Sequence, residues 1–294
     1  MPETKTRFLL PSTVQLLRFP FSFFLMPAYW FALSQVGEIS ISRALLVFMI
    51  LHLLVYPASN GYNSYMDRDT ESIGGVRRPL QPSRQLLYAT VLMDSLAVIL
   101  GSLISRYFAL GILLYILVSK AYSYRGIRLK KYPLGGYITV VLFQGVVTFG
   151  LIYHGCSVSK TPEVPVLAMI ASGLLIGGFY PLTQIYQHNA DLKDGVRTIS
   201  YRLGYRGTFV YCGIIYTAAF IVLGFYFFYT LQIKAFYIFS LCMLPVVVYF
   251  LIWARKVWHN YIYADYRNTM RMNRVASLCT NIAFIIIFMI NHFE

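Results

Sequence analysis

Residues 44–71, ALLVFMILHLLVYPASNGYNSYMDRDTE, decide the fold. From Ala44 to Tyr62 the run is apolar and of the length that crosses lipid as a helix. It then passes directly into Asn63-Ser64-Tyr65-Met66-Asp67-Arg68-Asp69-Thr70-Glu71. An apolar shaft with all its acids at one tip belongs at a membrane face, shaft in lipid and tip at water. Outward from this stretch the same apolar lengths recur at Gln15 to Val36, Leu86 to Ser105, Tyr107 to Lys120, Gly135 to His154, Val164 to Tyr186, Thr208 to Leu231, Ala235 to Trp253 and Val275 to Ile290. The expected fold is an all-α membrane protein with about nine transmembrane helices, read as a single domain over residues 1–294 because the gaps leave no room for a second.

Composition agrees. With 58% hydrophobic and only 12% charged side chains, the chain cannot cover a water-soluble globule. The net charge of +14 does not indicate nucleic acid, because the basic residues are sorted by loop. Counting from a cytoplasmic N-terminus that carries Lys5 and Arg7, all but four of the 25 Lys and Arg fall on the inner side; the four are Arg43, Arg106, Lys160 and Lys234. That bias puts the N-terminus inside and Glu294 outside. Arg18, Pro20 and Pro27 within the first segment argue against a cleaved signal sequence. Cys156, Cys212, Cys242 and Cys279 show no paired spacing and read as packing residues.

Acids are scarce, and five of the eleven lie in two stretches. The second, Gln187-His188-Asn189-Ala190-Asp191-Leu192-Lys193-Asp194, leaves the sixth apolar segment as the first leaves the second. In an uninterrupted helix Asn63, Asp67 and Glu71 would stack on one face at steps of about 6 Å, and Gln187, Asp191 and Asp194 would share a face likewise. Two such faces across a bundle form an oxygen-rich pocket suited to Mg²⁺, which accepts one or two carboxylates and completes its shell with water and phosphate oxygens. Arg77, Arg78, Lys193, Arg197 and Arg202 follow the acids, and Arg125, Arg128 and Lys130 lie in the loop between, where a diphosphate needs partners. His52 and Asp94 fall inside apolar segments and must be paired or face a polar cavity.

These residues resemble the UbiA superfamily of intramembrane prenyltransferases. Asn63, Asp67 and Glu71 followed by Arg78-Pro79-Leu80 match its NxxxDxxxD motif and basic-Pro-Leu segment, with Glu in place of the usual last Asp. Tyr122-Ser123 with Arg128-Leu129-Lys130 is similar to its loop between the fourth and fifth helices. Asp191 through Thr198, continuing to Leu203-Gly204, is similar to its second Asp motif. Gln187 departs from that motif, standing where many members carry an Asp, so the number of metal sites is left at one or two.

The resemblance implies a bundle around a central cavity and Mg²⁺-dependent transfer of an isoprenoid chain from a prenyl diphosphate to an aromatic or other lipophilic acceptor, releasing pyrophosphate. It implies Asp67, Glu71 and Asp191 as catalytic, and Asn63, Asp67, Glu71, Asp191 and Asp194 as metal ligands. Arg78, Tyr122, Arg125, Arg128, Lys130, Lys193 and Arg197 would hold the diphosphate. Tyr62, Tyr65, Phe143, Tyr180 and Tyr186 are candidate rings for shielding an allylic cation. Three readings compete: a terpene cyclase on the same fold, transfer of a phosphosugar to a polyprenyl phosphate, and a membrane transporter, which would spread its charges along a path open to both sides.

Overall fold

The structure, a computed structural model, describes residues 9–293; Lys5, Arg7 and Glu294 of the orientation argument lie outside them. Every apolar segment expected from the sequence forms helix, since a backbone in lipid must satisfy its own N–H and C=O groups. In chain order these are α1 (Pro11–Phe24), α2 (Met26–Ser34), α3 (Ile41–Asp67), α4 (Arg84–Ile104), α5 (Arg106–Ser123), α6 (Pro133–Cys156), α7 (Val166–Lys193), α8 (Ile199–Tyr229), α9 (Ile233–His259) and α10 (Tyr266–Phe293). Among the described residues seven are long and apolar enough to span a membrane, eight if α1 and α2, bent by 40°, make one span. The expected count of nine is therefore approximate; α5, with Arg106 and Lys120 near its ends, is the additional helix. The chain is an integral, multi-pass membrane protein.

The first span, expected as one run, is broken at Arg18 and Pro27. Arg18 takes a left-handed conformation at φ 49°, Pro20 opens a 3₁₀ turn, and Pro27 opens α2. Two other helices contain π-helical turns, Ile50–Val55 in α3 and Val141–Val147 in α6. The first places His52 in an aromatic box, stacked on Phe48 at 4.5 Å and edge-on to Tyr56 at 5.0 Å. His52 is thus a packing residue away from the cavity described below. Asp94 is paired instead: its carboxylate meets Lys120 Nζ at 2.6 Å, and that ammonium sits 4.1 Å over the ring of Tyr62.

The bundle closes on itself, with α10 packed along α2 and α9, α8 along α7, and α6 bridging α7 and α2. Small residues permit the tightest approach. A Cβ on Gly145 would stand 2.5 Å from the Gly173 Cα, so α6 and α7 touch backbone to backbone. Gly145→Ala is expected to force them apart and destabilise the protein by about 1–3 kcal/mol, read as a lowered unfolding temperature in detergent. At the end away from the acids, Tyr226 donates to Gln35 at 2.8 Å, and Asn291 donates to Ser34 O at 2.9 Å and to Gln232 at 3.1 Å. These bonds tie α2, α8, α9 and α10 together there.

Candidate active site

At the opposite end a cavity of about 210 Å³ opens between the helices. Asn63 and Asp67 reach it from the last turns of α3, and Gln187 and Asp191 from the end of α7. The two acidic stretches, distant in sequence, face one space. The winding of each stretch departs from an uninterrupted helix. Arg68, left-handed at φ 53°, ends α3 immediately after Asp67, its N–H bonding to Ser64 O at 3.1 Å. The turn brings Asp69, rather than Glu71, to the cavity wall. Glu71 lies outside with its side chain 52% exposed, paired to Lys193 at 2.9 Å.

In α7 the helix tightens to a 3₁₀ turn over Ile185–Gln187 before His188–Lys193 resumes. Its end is a Schellman turn at Gly195, φ 71°, with Val196 N–H on Asp191 O and Gly195 N–H on Leu192 O. Asp191 is left on the cavity wall. Asp194 turns to Arg128, which contacts its carboxylate directly and its carbonyl at 3.1 Å. The same guanidinium stands 3.6 Å from Asp67 Oδ1, so Arg128 links the two stretches. Lys130 is held at Asn63 Oδ1, 3.2 Å away, and in direct contact with Asp67.

The remaining positions divide. Tyr122 lines the cavity and its hydroxyl contacts that of Tyr180. Phe143, Tyr180 and Tyr186 line it too, whereas Tyr62 lies beneath Lys120 and Tyr65 packs beside Leu16, Leu17, Ile73 and Leu86. Arg125 is exposed and donates to Met66 O at 2.9 Å, bracing the end of α3. Arg78, Lys193 and Arg197 are exposed and do not line the cavity. Gln187 lines it but spends its amide on Ser72 O at 3.4 Å.

Arg18 and Asp69 stand on the wall although neither was among the expected site residues. Arg18, which in the sequence counts as an inner-side base and argues against a cleaved signal, is 9% exposed, lines the cavity, and donates to Gly74 O at 3.2 Å and Asn60 O at 3.3 Å. Asp69 lies off the four-residue spacing; its signal was the Arg68 bend, which nothing in an Arg announces. Burial first, and then the Asp67 charge, push the Asp69 carboxyl up to about 6 against the pull of Lys130 and Arg18.

The donor set fits a hard divalent cation. Asp67 Oδ1 is buried without a hydrogen bond, and neither Asp69 nor Asp191 forms an ion pair among the described residues. No three Asp, Glu, His or Cys among those residues gather closely enough to hold an ion unaided. A Mg²⁺ ion held there would take most of its shell from water and substrate phosphate.

The chain is a helical intramembrane bundle with carboxylates and bases crowded at one end. The description of the UbiA prenyltransferase family matches residues 24–275, and the chain belongs to that family. Among solved structures it is similar to a UbiA homologue from Archaeoglobus fulgidus bound to DMAPP and Mg²⁺, at 19% identity and TM-score 0.70, covering 94% of this chain and 99% of that one. It is also similar to the apo UbiA homologue from Aeropyrum pernix K1, at 18% identity and TM-score 0.67, covering 92% and 98%. A digeranylgeranylglyceryl phosphate synthase matches at 18% identity and TM-score 0.58, covering 94% and 96%. At such identities these likenesses show the fold. No curated protein matches the sequence significantly.

Proposed function

We propose that the protein, acting as one transmembrane unit, transfers the isoprenoid chain of a prenyl diphosphate to an aromatic or other lipophilic acceptor, with Mg²⁺ and release of pyrophosphate. The observation that carries this reading is the meeting of Asn63, Asp67, Asp69 and Asp191 with Lys130 in one cavity that Phe143, Val140 and Val118 also line. Homologues in complex with DMAPP or GPP and Mg²⁺ support the donor class. The basic bias of the acid-bearing end supports a cytoplasmic site and N-terminus.

Asp67, Asp69 and Asp191 would hold Mg²⁺, with Asn63 as a neutral oxygen donor. When bound, the ion supplies positive charge to the departing diphosphate. Lys130, positioned by Asn63 and Asp67, donates to a phosphate oxygen as negative charge builds there, favouring the transition state over the ground state. Arg128 holds the two acid-bearing helix ends at a fixed separation. The Tyr122–Tyr180 pair and Phe143 form an aromatic wall that keeps water from the electron-poor allylic carbon until the acceptor attacks.

The test incubates the purified protein in lipid nanodiscs with Mg²⁺ and dimethylallyl, geranyl and farnesyl diphosphate, following pyrophosphate with and without a phenolic acceptor. Absence of release from all three donors sinks the reading; release without acceptor that yields a cyclic hydrocarbon assigns the cyclase instead. A pH dependence is also expected. The Asp69 carboxyl, raised to about 6, becomes predominantly protonated below that pH, and a protonated carboxyl is a poor metal ligand. Mg²⁺ affinity measured by calorimetry should therefore fall between pH 7.5 and 5.5, and Asp69→Asn should flatten the fall.

A further inference from the structure

Asn273, on α10, is 1% exposed and lines the acid-bearing cavity, yet neither its Oδ1 nor its Nδ2 has a hydrogen-bond partner among the described residues. A primary amide inside a membrane bundle is costly when unpaired, and a bound group that answers both its donor and its acceptor recovers that cost. Beyond Asn273 lies a smaller chamber of about 60 Å³. Its walls continue those of the cavity. On α10, Met270 and Asn273 line the cavity, and Ser277 and Thr280, on the same helical face, line the chamber.

The same succession holds on α7, where Tyr180 and Thr183 line the cavity and Ile176 and Phe179 the chamber, and on the first span, from Phe21 to Phe24 and Phe31. The two spaces are thus neighbours along three helices, with Asn273 on the cavity side of their division. No charged residue lines the chamber, whereas Arg18, Asp67, Asp69, Lys130 and Asp191 line the cavity.

Resting on the transferase reading, we propose that Asn273 and the chamber behind it bind the acceptor through a neutral hydroxyl or carbonyl on an apolar body. The amide can accept from a hydroxyl or donate to a carbonyl, but it offers no charge to a carboxylate. The chamber's Phe and Ile side chains take the apolar part. The charged end of the cavity remains for the diphosphate, so the two substrates are sorted by the sign and absence of charge on each wall.

The test uses the whole protein in nanodiscs and two probes, 4-propylphenol and geranyl diphosphate with Mg²⁺, titrated calorimetrically against empty discs. Asn273→Leu is expected to weaken 4-propylphenol about tenfold, the scale of one lost buried hydrogen bond, and to leave geranyl diphosphate unchanged. Asn273→Gln should restore part of the phenol affinity, and 4-propylbenzoate should bind the wild type more weakly than the phenol. Asn281→Leu serves as the control: Asn281 is 4% exposed and equally unpartnered, but lines neither space, so its loss should leave the phenol affinity intact.

Wild-type phenol affinity in Asn273→Leu overturns the proposal, as does an equal loss for both probes or a preference for the benzoate. Failure of geranyl diphosphate to bind the wild type overturns the transferase reading instead, and the phenol comparison between wild type, Asn273→Leu and Asn281→Leu still decides the role of Asn273.

Discussion

Asp67→Ala is expected to lower pyrophosphate release by about 10³-fold or more, and Asp191→Ala by about 10²-fold or more, because each removes negative charge that would hold the metal at the leaving group. Asp67 carries the larger effect for a second reason. Its side chain is only 6% exposed and neutralises Lys130 directly and Arg128 at 3.6 Å, both 12% exposed. Without it two buried cations repel, and the loss of such a partner costs about 3–5 kcal/mol of stability. Asp67→Asn keeps the shape and the contact to Lys130, so it separates the two effects: activity should fall nearly as far while the unfolding temperature falls less. Turnover of both Asp67 variants within a few-fold of wild type would remove the site assignment altogether.

The second large effect is a contrast between neighbours. Asp69→Ala should reduce turnover by about 10²-fold, whereas Glu71→Ala should change it by less than about threefold. Sequence spacing favours the opposite order, since Glu71 occupies the motif position. Geometry reverses it: Asp69 is on the cavity wall, while Glu71 faces outward and holds an exposed Lys193 in an ion pair of the kind that contributes little. Steady-state pyrophosphate release from both variants at saturating Mg²⁺ decides between the two orders, and a large loss in Glu71→Ala would show that the loop rearranges around a bound metal.

How far the molecule could be read in advance follows from the kind of signal each part carries. Helix existence was legible because lipid imposes one length and one composition on every span, and all nine apolar segments are helical. The convergence of Asn63, Asp67, Gln187 and Asp191 was legible because each stretch marks the same end of an even-numbered segment. What escaped was backbone conformation. Arg68 and Arg18 adopt left-handed φ values that their side chains do not advertise, so the departure of Glu71, the arrival of Asp69 and the bend in the first span could not be deduced from spacing. Asn273 escaped for another reason: it precedes the expected apolar segment Val275 to Ile290 and stands between Arg271 and Arg274, where an amide reads as part of a basic inner-side loop.

The π-helical turn at Ile50–Val55 acts as a shim beneath the acid-bearing tip. Six residues at this wider winding turn through about the angle of five in an α-helix, so removing one of them, such as exposed Leu53, would restore ordinary winding and leave everything beyond in nearly its present phase. The same deletion made in the ordinary winding that follows, between Tyr56 and Tyr62, would instead turn Asn63 and Asp67 by about 100° away from Lys130 although neither had been altered. Loss of a residue should thus be tolerated where the helix has slack to give up and should silence the site one turn later, where it has none.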